Sequence, residues 1–106
     1  MVYTKDQLDK IVNQFIEGVR SRHALRKAFI FGSYARGAAR PDSDIDLALI
    51  FDDLDESGVF DEAFQVFHEA QEFNPDIEPI CFRTDEFESG LSPIIDLINR
   101  EGIKII

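Results

Sequence analysis

The chain of 106 residues has a single cysteine, few basic residues and no long apolar run, and each scarcity excludes a class of protein. With Cys81 alone, no disulfide can form within the chain, and a zinc site built from cysteines is not expected. Cys81 lies in the apolar run 80–82, which is typical of a buried thiol rather than a nucleophile. No apolar run approaches the roughly 20 residues of a membrane-spanning helix, and the N-terminus lacks the apolar core of a signal peptide. We therefore expect a cytoplasmic protein.

Basic residues are outnumbered, since 11 Lys and Arg face 21 Asp and Glu and give a formal net charge of −10. Such a chain has no broad basic face, so nucleic acid is not an expected partner. The acidity suits a cationic partner or a bound metal, although a solvated acidic surface would give the same composition. A length and composition typical of one folded unit predict a single small domain over residues 1–106.

Hydrophobic spacing predicts an α/β domain, α+β in some schemes, with helices packed on a sheet. Thr4 and Gln7 predict a capping box at the start of the first helix. The predicted helices span residues 4–21, 33–38, 58–73 and 93–101. The predicted strands span residues 28–31, 45–51, 77–82 and 103–106. The apolar side predicted for the third helix consists of Phe60, Ala63, Phe64, Phe67 and Gln71.

Gly32 and Ser33 follow the first predicted strand and precede a predicted helical turn. The start of a helix presents unpaired N–H groups that can hold a phosphate, and glycine lets a ligand approach the backbone. Arg36 and Arg40 could add cationic contacts, or Arg36 could pair with a nearby acid. The stretch is neither a P-loop nor a dinucleotide-binding fingerprint. By itself, a Gly-Ser turn is also an ordinary serine cap.

Asp44 and Asp46 lie two residues apart on a predicted strand, so both carboxylates project from the same face. Two such neighbours repel each other, and a divalent cation removes that conflict. A third carboxylate is predicted from the next strand, where Glu78 is preferred and Asp76 is held in reserve. Both acids of that strand could instead be exposed edge residues.

Taken together, Gly32-Ser33, ten intervening residues and Asp44-Ile45-Asp46 resemble the signature of the DNA polymerase beta-like nucleotidyltransferase superfamily. The whole stretch, GSYARGAARPDSDIDL, is similar to that of its minimal nucleotidyltransferases, which are small stand-alone domains. The tail containing Arg100-Glu101-Gly102 also resembles theirs. One departure is Glu78, since family members usually carry an aspartate there.

The resemblance implies a nucleotidyltransferase fold, a mixed sheet flanked by helices, and transfer of AMP from ATP to an acceptor hydroxyl. It implies that two magnesium ions are held by Asp44, Asp46 and Glu78. Glu78 would also help to position or deprotonate the acceptor. The residues implied to contact the nucleotide are Gly32, Ser33 and Arg36.

Many minimal nucleotidyltransferases are antitoxins of a helical HEPN ribonuclease, and some transfer AMP to a tyrosine of that partner. The resemblance thus implies a HEPN-type protein acceptor, in a homo- or hetero-oligomer. One alternative is a binding antitoxin that neutralises its partner by contact alone. A less favoured alternative is a small-molecule (aminoglycoside-type) nucleotidyltransferase, because those enzymes generally carry an extra helical domain.

Overall fold

A computed structural model describes residues 2–58 and 61–106, and within them helices alternate with strands. The helices are α1 (Lys5–Arg22), α2 (Glu62–Phe73), α3 (Thr84–Ser89) and α4 (Pro93–Glu101). The strands are β1 (Leu25–Phe31), β2 (Ile45–Phe51), β3 (Ile77–Arg83) and β4 (Ile103–Lys104). The predicted class of helices packed on a sheet is confirmed.

The strands form one mixed sheet in the order β3-β2-β1-β4. β1 is antiparallel to both β2 and β4, whereas β2 and β3 are parallel and are connected through α2. β3 is an edge strand, which explains how Pro79 is accommodated opposite Leu47, because a proline without an N–H group is tolerated at an edge.

β2 is buried on both faces because helices cover each side of the sheet. On one face its side chains pack with α1 and α2, through Ile45, Leu47, Leu49 and Phe51. On the other face they pack with α3 and α4, and this cluster contains Ala48, Ile50, Phe82, Phe87, Ile95 and Ile98. Strand alternation therefore places Asp46 on the face that α3 and α4 cover.

α1 begins as its sequence predicts. The Thr4 hydroxyl accepts a hydrogen bond from the Gln7 N–H at 3.1 Å, and the Gln7 side chain accepts one from the Thr4 N–H at 2.9 Å. This reciprocal pair satisfies two donors that the first turn of a helix leaves unpaired. The predicted capping box is confirmed.

Several predicted boundaries are wrong. β1 begins at Leu25 rather than residue 28, and residues 33–37 form a turn rather than a helix. α2 begins at Glu62 rather than near residue 58, because the Asp61 carboxylate caps it by accepting from the Phe64 N–H at 2.9 Å. β4 has two residues, although backbone bonding continues beyond it and the Ile105 N–H donates to the Ala28 carbonyl at 2.8 Å.

The predicted apolar side of α2 is also wrong. Its buried residues are Val66 and Ala70, while Phe64 and Phe67 are each 46% exposed. Phe60, predicted as part of that side, lies outside the described residues. Small side chains let the helix approach β3 closely, which leaves the larger aromatic rings at the periphery.

Cys81 is a structural thiol. Burial, reinforced by the negative charges of Asp61 and Glu62, raises its pKa to about 12, so the thiol stays protonated and unreactive near neutral pH. Among the helices of residues 2–58 and 61–106, none combines the length and apolar character that crossing a membrane requires. The prediction of one domain over residues 1–106 stays a prediction.

Candidate functional site

The connection from β1 to β2 starts with one tight turn over residues 32–38. The Ala38 N–H donates to the Ser33 carbonyl at 2.9 Å, and the Gly37 N–H donates to the Tyr34 carbonyl at 3.4 Å. Gly37 has a φ of +69°, so the turn ends as a Schellman motif that glycine favours. This glycine stops the helix that the alanine and arginine content predicted.

The start of the turn presents backbone donors. Among the described residues, the N–H groups of Ser33, Tyr34 and Ala35 have no protein acceptor, and neither has the Ser33 hydroxyl. Successive free N–H groups of this kind bind anions. Because a single turn has only a small dipole, these donors rather than a macrodipole would hold a phosphate.

Two predicted metal ligands lie at the start of β2. Asp44 directly precedes the strand and is exposed, whereas Asp46 is its second residue and is half-buried. Desolvation raises the pKa of Asp46, and the charges of Glu78 and Asp44 raise it further, while the Arg36 charge lowers it. Asp44 and Glu78 are therefore close enough to oppose the ionisation of Asp46, and a cation would relieve this opposition.

Gly32 packs directly against the Asp46 carboxylate. The β1–β2 ladder pairs Phe31 with Asp46, so Gly32 leaves the ladder beside this acid. A Cβ atom at Gly32 would overlap Oδ2 of Asp46. Gly32 also has a φ of +74°, which disfavours any side chain. Glycine is thus required for two independent reasons, and the donor turn and the carboxylate adjoin.

The two candidates for the third carboxylate occupy different surroundings. Glu78 is the Cα partner of Asp46 in the parallel β2–β3 ladder, and its exposed side chain belongs to the same face of the sheet. The Asp76 carboxylate instead accepts a hydrogen bond from the Tyr3 hydroxyl at 2.6 Å, and the Asp76 carbonyl accepts from the Ile45 N–H at 2.7 Å. Asp76 is therefore engaged in holding the N-terminal segment, which favours Glu78.

Arg36 interacts with two acids. Its Nη1 donates to Oε2 of Glu101, the last residue of α4, at 3.3 Å, and its charge lowers the pKa of Asp46. The pairing of Arg36 with an acid was left open by the sequence, and Glu101 was not identified as its partner. The tail motif Arg100-Glu101-Gly102 was the one signal that could have pointed to it. The Arg40 backbone is fixed by Ser43, whose hydroxyl accepts from the Arg40 N–H at 2.8 Å.

The carboxylates form an open set rather than a closed cage. Within residues 2–58 and 61–106, no three His, Cys, Asp or Glu side chains converge as a cluster that could hold a metal by itself. Magnesium commonly takes one or two carboxylates and completes its shell with substrate phosphates and water. A half-buried Asp46 flanked by Asp44 and Glu78 has the donor chemistry that this mode of binding requires.

A groove of about 400 Å³ lies behind the turn, against the cluster that α1 covers. Its walls include Leu8, Ile30 and Tyr34, and they are mainly apolar. The predicted metal ligands are not among the residues that line it. The groove and the carboxylates are therefore separate features of the fold.

Comparison with known sequences identifies relatives of this chain. The family model described as "Nucleotidyltransferase domain" matches residues 12–105. A protein adenylyltransferase, MntA of Thermococcus cleftensis, is 33% identical over 51 residues, which are 48% of this chain and 52% of that protein. The chain thus matches about half of the length of this relative.

Solved structures share the fold. A toxin–antitoxin crystal structure with AMP-PNP gives a TM-score of 0.66 at 17% identity, over 92% of this chain and 72% of that chain. A variant of the toxin–antitoxin MntA-HpeT gives 0.62 at 17% identity, over 89% of this chain and 71% of that one. A candidate nucleotidyltransferase from Sulfolobus solfataricus gives 0.62 at 23% identity, over 91% and 77%. The predicted fold is confirmed.

Proposed function

The chain belongs to the nucleotidyltransferase domain family, and we propose that it transfers AMP from ATP to a hydroxyl group of an acceptor protein. The observation that carries the proposal is the packing of Gly32 against the Asp46 carboxylate. This contact brings free backbone donors and a half-buried acid together, which is the combination that phosphoryl-type transfer needs. The relative named as a protein adenylyltransferase supports this choice of reaction.

The triphosphate would rest on the turn after β1. The N–H groups of Ser33, Tyr34 and Ala35 would donate to phosphate oxygens, and the Ser33 hydroxyl would add one more donor. Because Gly32 has no Cβ atom, the Asp46 carboxylate can lie directly against this turn. Arg36 would add a cationic contact, since a guanidinium matches the geometry of phosphate oxygens.

Asp44 and Asp46 would hold magnesium, with Glu78 as a further ligand, and two ions are expected from the family. When bound, magnesium would neutralise charge on the phosphates and orient the phosphorus that is attacked. Support comes from the raised pKa of Asp46, since burial and then the charges of Glu78 and Asp44 oppose its ionisation in the protein alone. Asp44, being exposed, can turn toward a ligand at little cost.

Glu78 would accept the proton of the acceptor hydroxyl. The acceptor oxygen then forms a bond to the α-phosphorus while the bond from that phosphorus to the α–β bridging oxygen breaks, and pyrophosphate leaves. Glu78 suits this role because it is exposed beside Asp46 at the edge strand, where an acceptor can approach. Its length, compared with the aspartate usual in the family, fits a group that reaches outward.

The acceptor that we propose is a HEPN-type ribonuclease toxin, which this chain would neutralise as an antitoxin. Similarity to an MntA adenylyltransferase and to structures of toxin–antitoxin pairs supports a toxin as the partner. The net charge of −10 would favour a partner with a cationic surface.

A second candidate function is neutralisation by contact alone. The observation that favours it is the pair of aromatic side chains Phe64 and Phe67, each 46% exposed on α2. Exposed aromatic residues are common in protein interfaces, where they supply much of the binding energy. A contact-only antitoxin would use such a surface and would not need the carboxylates.

One experiment separates the two functions. The purified protein is incubated with α-³²P-labelled ATP, Mg²⁺ and the protein product of the adjacent gene, and label on that product is measured. Asp44→Asn should abolish labelling and neutralisation together. Asp42→Asn is the matched control, because Asp42 is equally exposed and lies outside the proposed ligand set.

Labelling by the wild type that is lost in Asp44→Asn and kept in Asp42→Asn supports the transfer reaction. Label that never reaches the partner, together with full neutralisation by Asp44→Asn, would establish binding without catalysis. Label that appears on an aminoglycoside instead would select the small-molecule alternative.

A further inference from the structure

Arg36 is the cation whose charge acts on the Asp46 carboxylate, and its side chain is bonded to Glu101. Its guanidinium Nη1 lies 3.3 Å from Oε2 of Glu101. The Arg36 side chain is 48% exposed and that of Glu101 is 28% exposed, so the acid is the more enclosed partner. An arginine on an exposed turn otherwise samples many rotamers, and ordering it costs conformational entropy.

Glu101 is well placed to order Arg36 because its backbone is fixed. It ends α4, whose residues Ile95 and Ile98 are buried against the sheet. The next residue, Gly102, donates its N–H to the Ile98 carbonyl at 2.7 Å, and a Cβ atom at Gly102 would overlap that carbonyl oxygen. The chain then turns directly into β4, where Ile103 pairs with the central strand β1. Glu101 therefore occupies a rigid corner between two packed elements.

The contact with Glu101 does not use all the hydrogen-bond donors of the Arg36 guanidinium. Arginine has five N–H groups in a planar fork, and the contact with Glu101 involves one terminal nitrogen. The remaining donors of this side chain have no acceptor among the residues that the structure describes. The contact with Glu101 thus anchors the Arg36 side chain and leaves guanidinium N–H groups that can donate to phosphate oxygens.

We propose that Glu101 is a positioning residue that holds the Arg36 guanidinium beside the Asp46 carboxylate for contact with the polyphosphate of a nucleoside triphosphate. The inference deepens the proposed function and rests on it. It predicts that removing Glu101 weakens nucleotide binding, whereas the change in charge alone predicts stronger binding. Removing the negative Glu101 from a site that binds a polyanion would strengthen nucleotide binding by electrostatics, whereas losing the positioning of Arg36 weakens it.

The test uses α,β-methylene-ATP with Mg²⁺ as a probe that cannot donate AMP, and calorimetry gives its dissociation constant. Glu101→Ala should raise this constant about threefold to fivefold, the scale of one half-exposed ion pair. Glu101→Gln keeps the length and one acceptor oxygen, so it should recover part of the loss. In an Arg36→Ala background, Glu101→Ala should cause no further weakening. In transfer assays the KM for ATP should rise more than kcat falls.

Asp96→Ala is the matched control, because it removes an exposed ion pair of the same helix, Asp96 with Arg100 at 3.0 Å, without touching Arg36. Thermal unfolding of each variant excludes loss of fold as the cause. Unchanged or tighter binding in Glu101→Ala, beside a wild type that binds and transfers, would overturn the positioning role alone. A wild type that does not bind the analogue would remove the proposed function, and this inference with it.

Discussion

The two ends of β2 each gather acidic side chains, and they differ in how those charges are matched. At the C-terminal end, beside Phe51, the His23 ring lies between Glu62 and Glu69, with nitrogen–oxygen distances of 2.6 and 3.0 Å. Arg22 adds a bond to Glu69 at 2.7 Å. This cluster joins the end of α1 to α2, and its acids have positive or donor partners within the protein.

At the N-terminal end the acids outnumber their partners. Arg36 acts on Asp46, but its guanidinium is also bonded to Glu101, and neither Asp44 nor Glu78 has an ion pair among the described residues. Burial raises the pKa of Asp46, and the charges of Glu78 and Asp44 raise it further. At the other end of the strand the acids have partners. An unmatched cluster beside free N–H donors is therefore best explained by a ligand that supplies the missing charge.

Asp46→Asn, at the N-terminal end of β2, should have the largest effect on transfer. Loss of the carboxylate should lower transfer at least about a hundredfold, the scale of removing one group that stabilises the transition state. The same change should leave the melting temperature unchanged or higher, because a half-buried charge beside Asp44 and Glu78 disappears. Label transfer and thermal unfolding measure the two effects. An unfolded variant, or one with full transfer, would count against the assignment.

Gly32→Ala should have the next largest effect, and Gly37→Ala provides its control. Both residues have positive φ, so each alanine carries a cost of roughly 1–2 kcal/mol. The added Cβ at Gly32 overlaps the Asp46 carboxylate, whereas a Cβ at Gly37 meets nothing within 4 Å. Transfer per folded molecule should fall about tenfold or more in Gly32→Ala alone, the scale of displacing a reacting group. Equal losses in both variants would show that only backbone strain matters.

The features that the sequence predicts best depend on residues that are close together in the chain. The Thr4–Gln7 capping box and the bounds of β2 follow from residue type and period alone. The motif predicted that Gly32 and Asp46 belong to one site, whereas their direct contact, which the missing Cβ permits, becomes visible only in three dimensions.

The features that escaped prediction depend on contacts between distant segments. Arg36 and Glu101 are 65 positions apart, and no spacing rule links them. On α2 the larger aromatic residues predicted a buried face, yet Val66 and Ala70 are buried instead, because contact with β3 selects side chains that fit. The short α3 was missed since six residues with Phe87 as the buried anchor give too little periodicity.

His23→Ala tests whether the charged cluster at the C-terminal end of β2 contributes to stability and not to transfer. The substitution removes the imidazole that bonds both the Glu62 and the Glu69 carboxylates, each largely enclosed, and leaves Glu69 with Arg22 and Glu62 with the Asp55 N–H. The free energy of unfolding should therefore fall by about 1–3 kcal/mol. Transfer per folded molecule should be unchanged, since the cluster lies at the other end of the strand. His68→Ala is the control, because its contact with Glu72 is exposed and should contribute little. Denaturant unfolding measures the difference, and a loss of transfer in His23→Ala would contradict the division between the two ends.

The smallest expected effect is a pH-dependent difference in stability between the wild type and Asp46→Asn. The folded pKa of Asp46 is raised above its unfolded value of 3.8, so the folded state keeps this proton more tightly than the unfolded state does. As pH rises from the unfolded pKa of Asp46 through its folded pKa, the wild type loses stability relative to a variant that is neutral at position 46 at every pH.

Other carboxyls, such as Asp52 with its pKa lowered by Arg26, titrate alike in both proteins, so their contributions cancel in the difference between the two melting temperatures. The gap in melting temperature should therefore be absent below about pH 4 and fully developed at neutral pH. Mg²⁺ added at neutral pH should close it by raising the wild type alone, whereas a gap that is constant with pH would show that Asp46 is not held at an electrostatic cost.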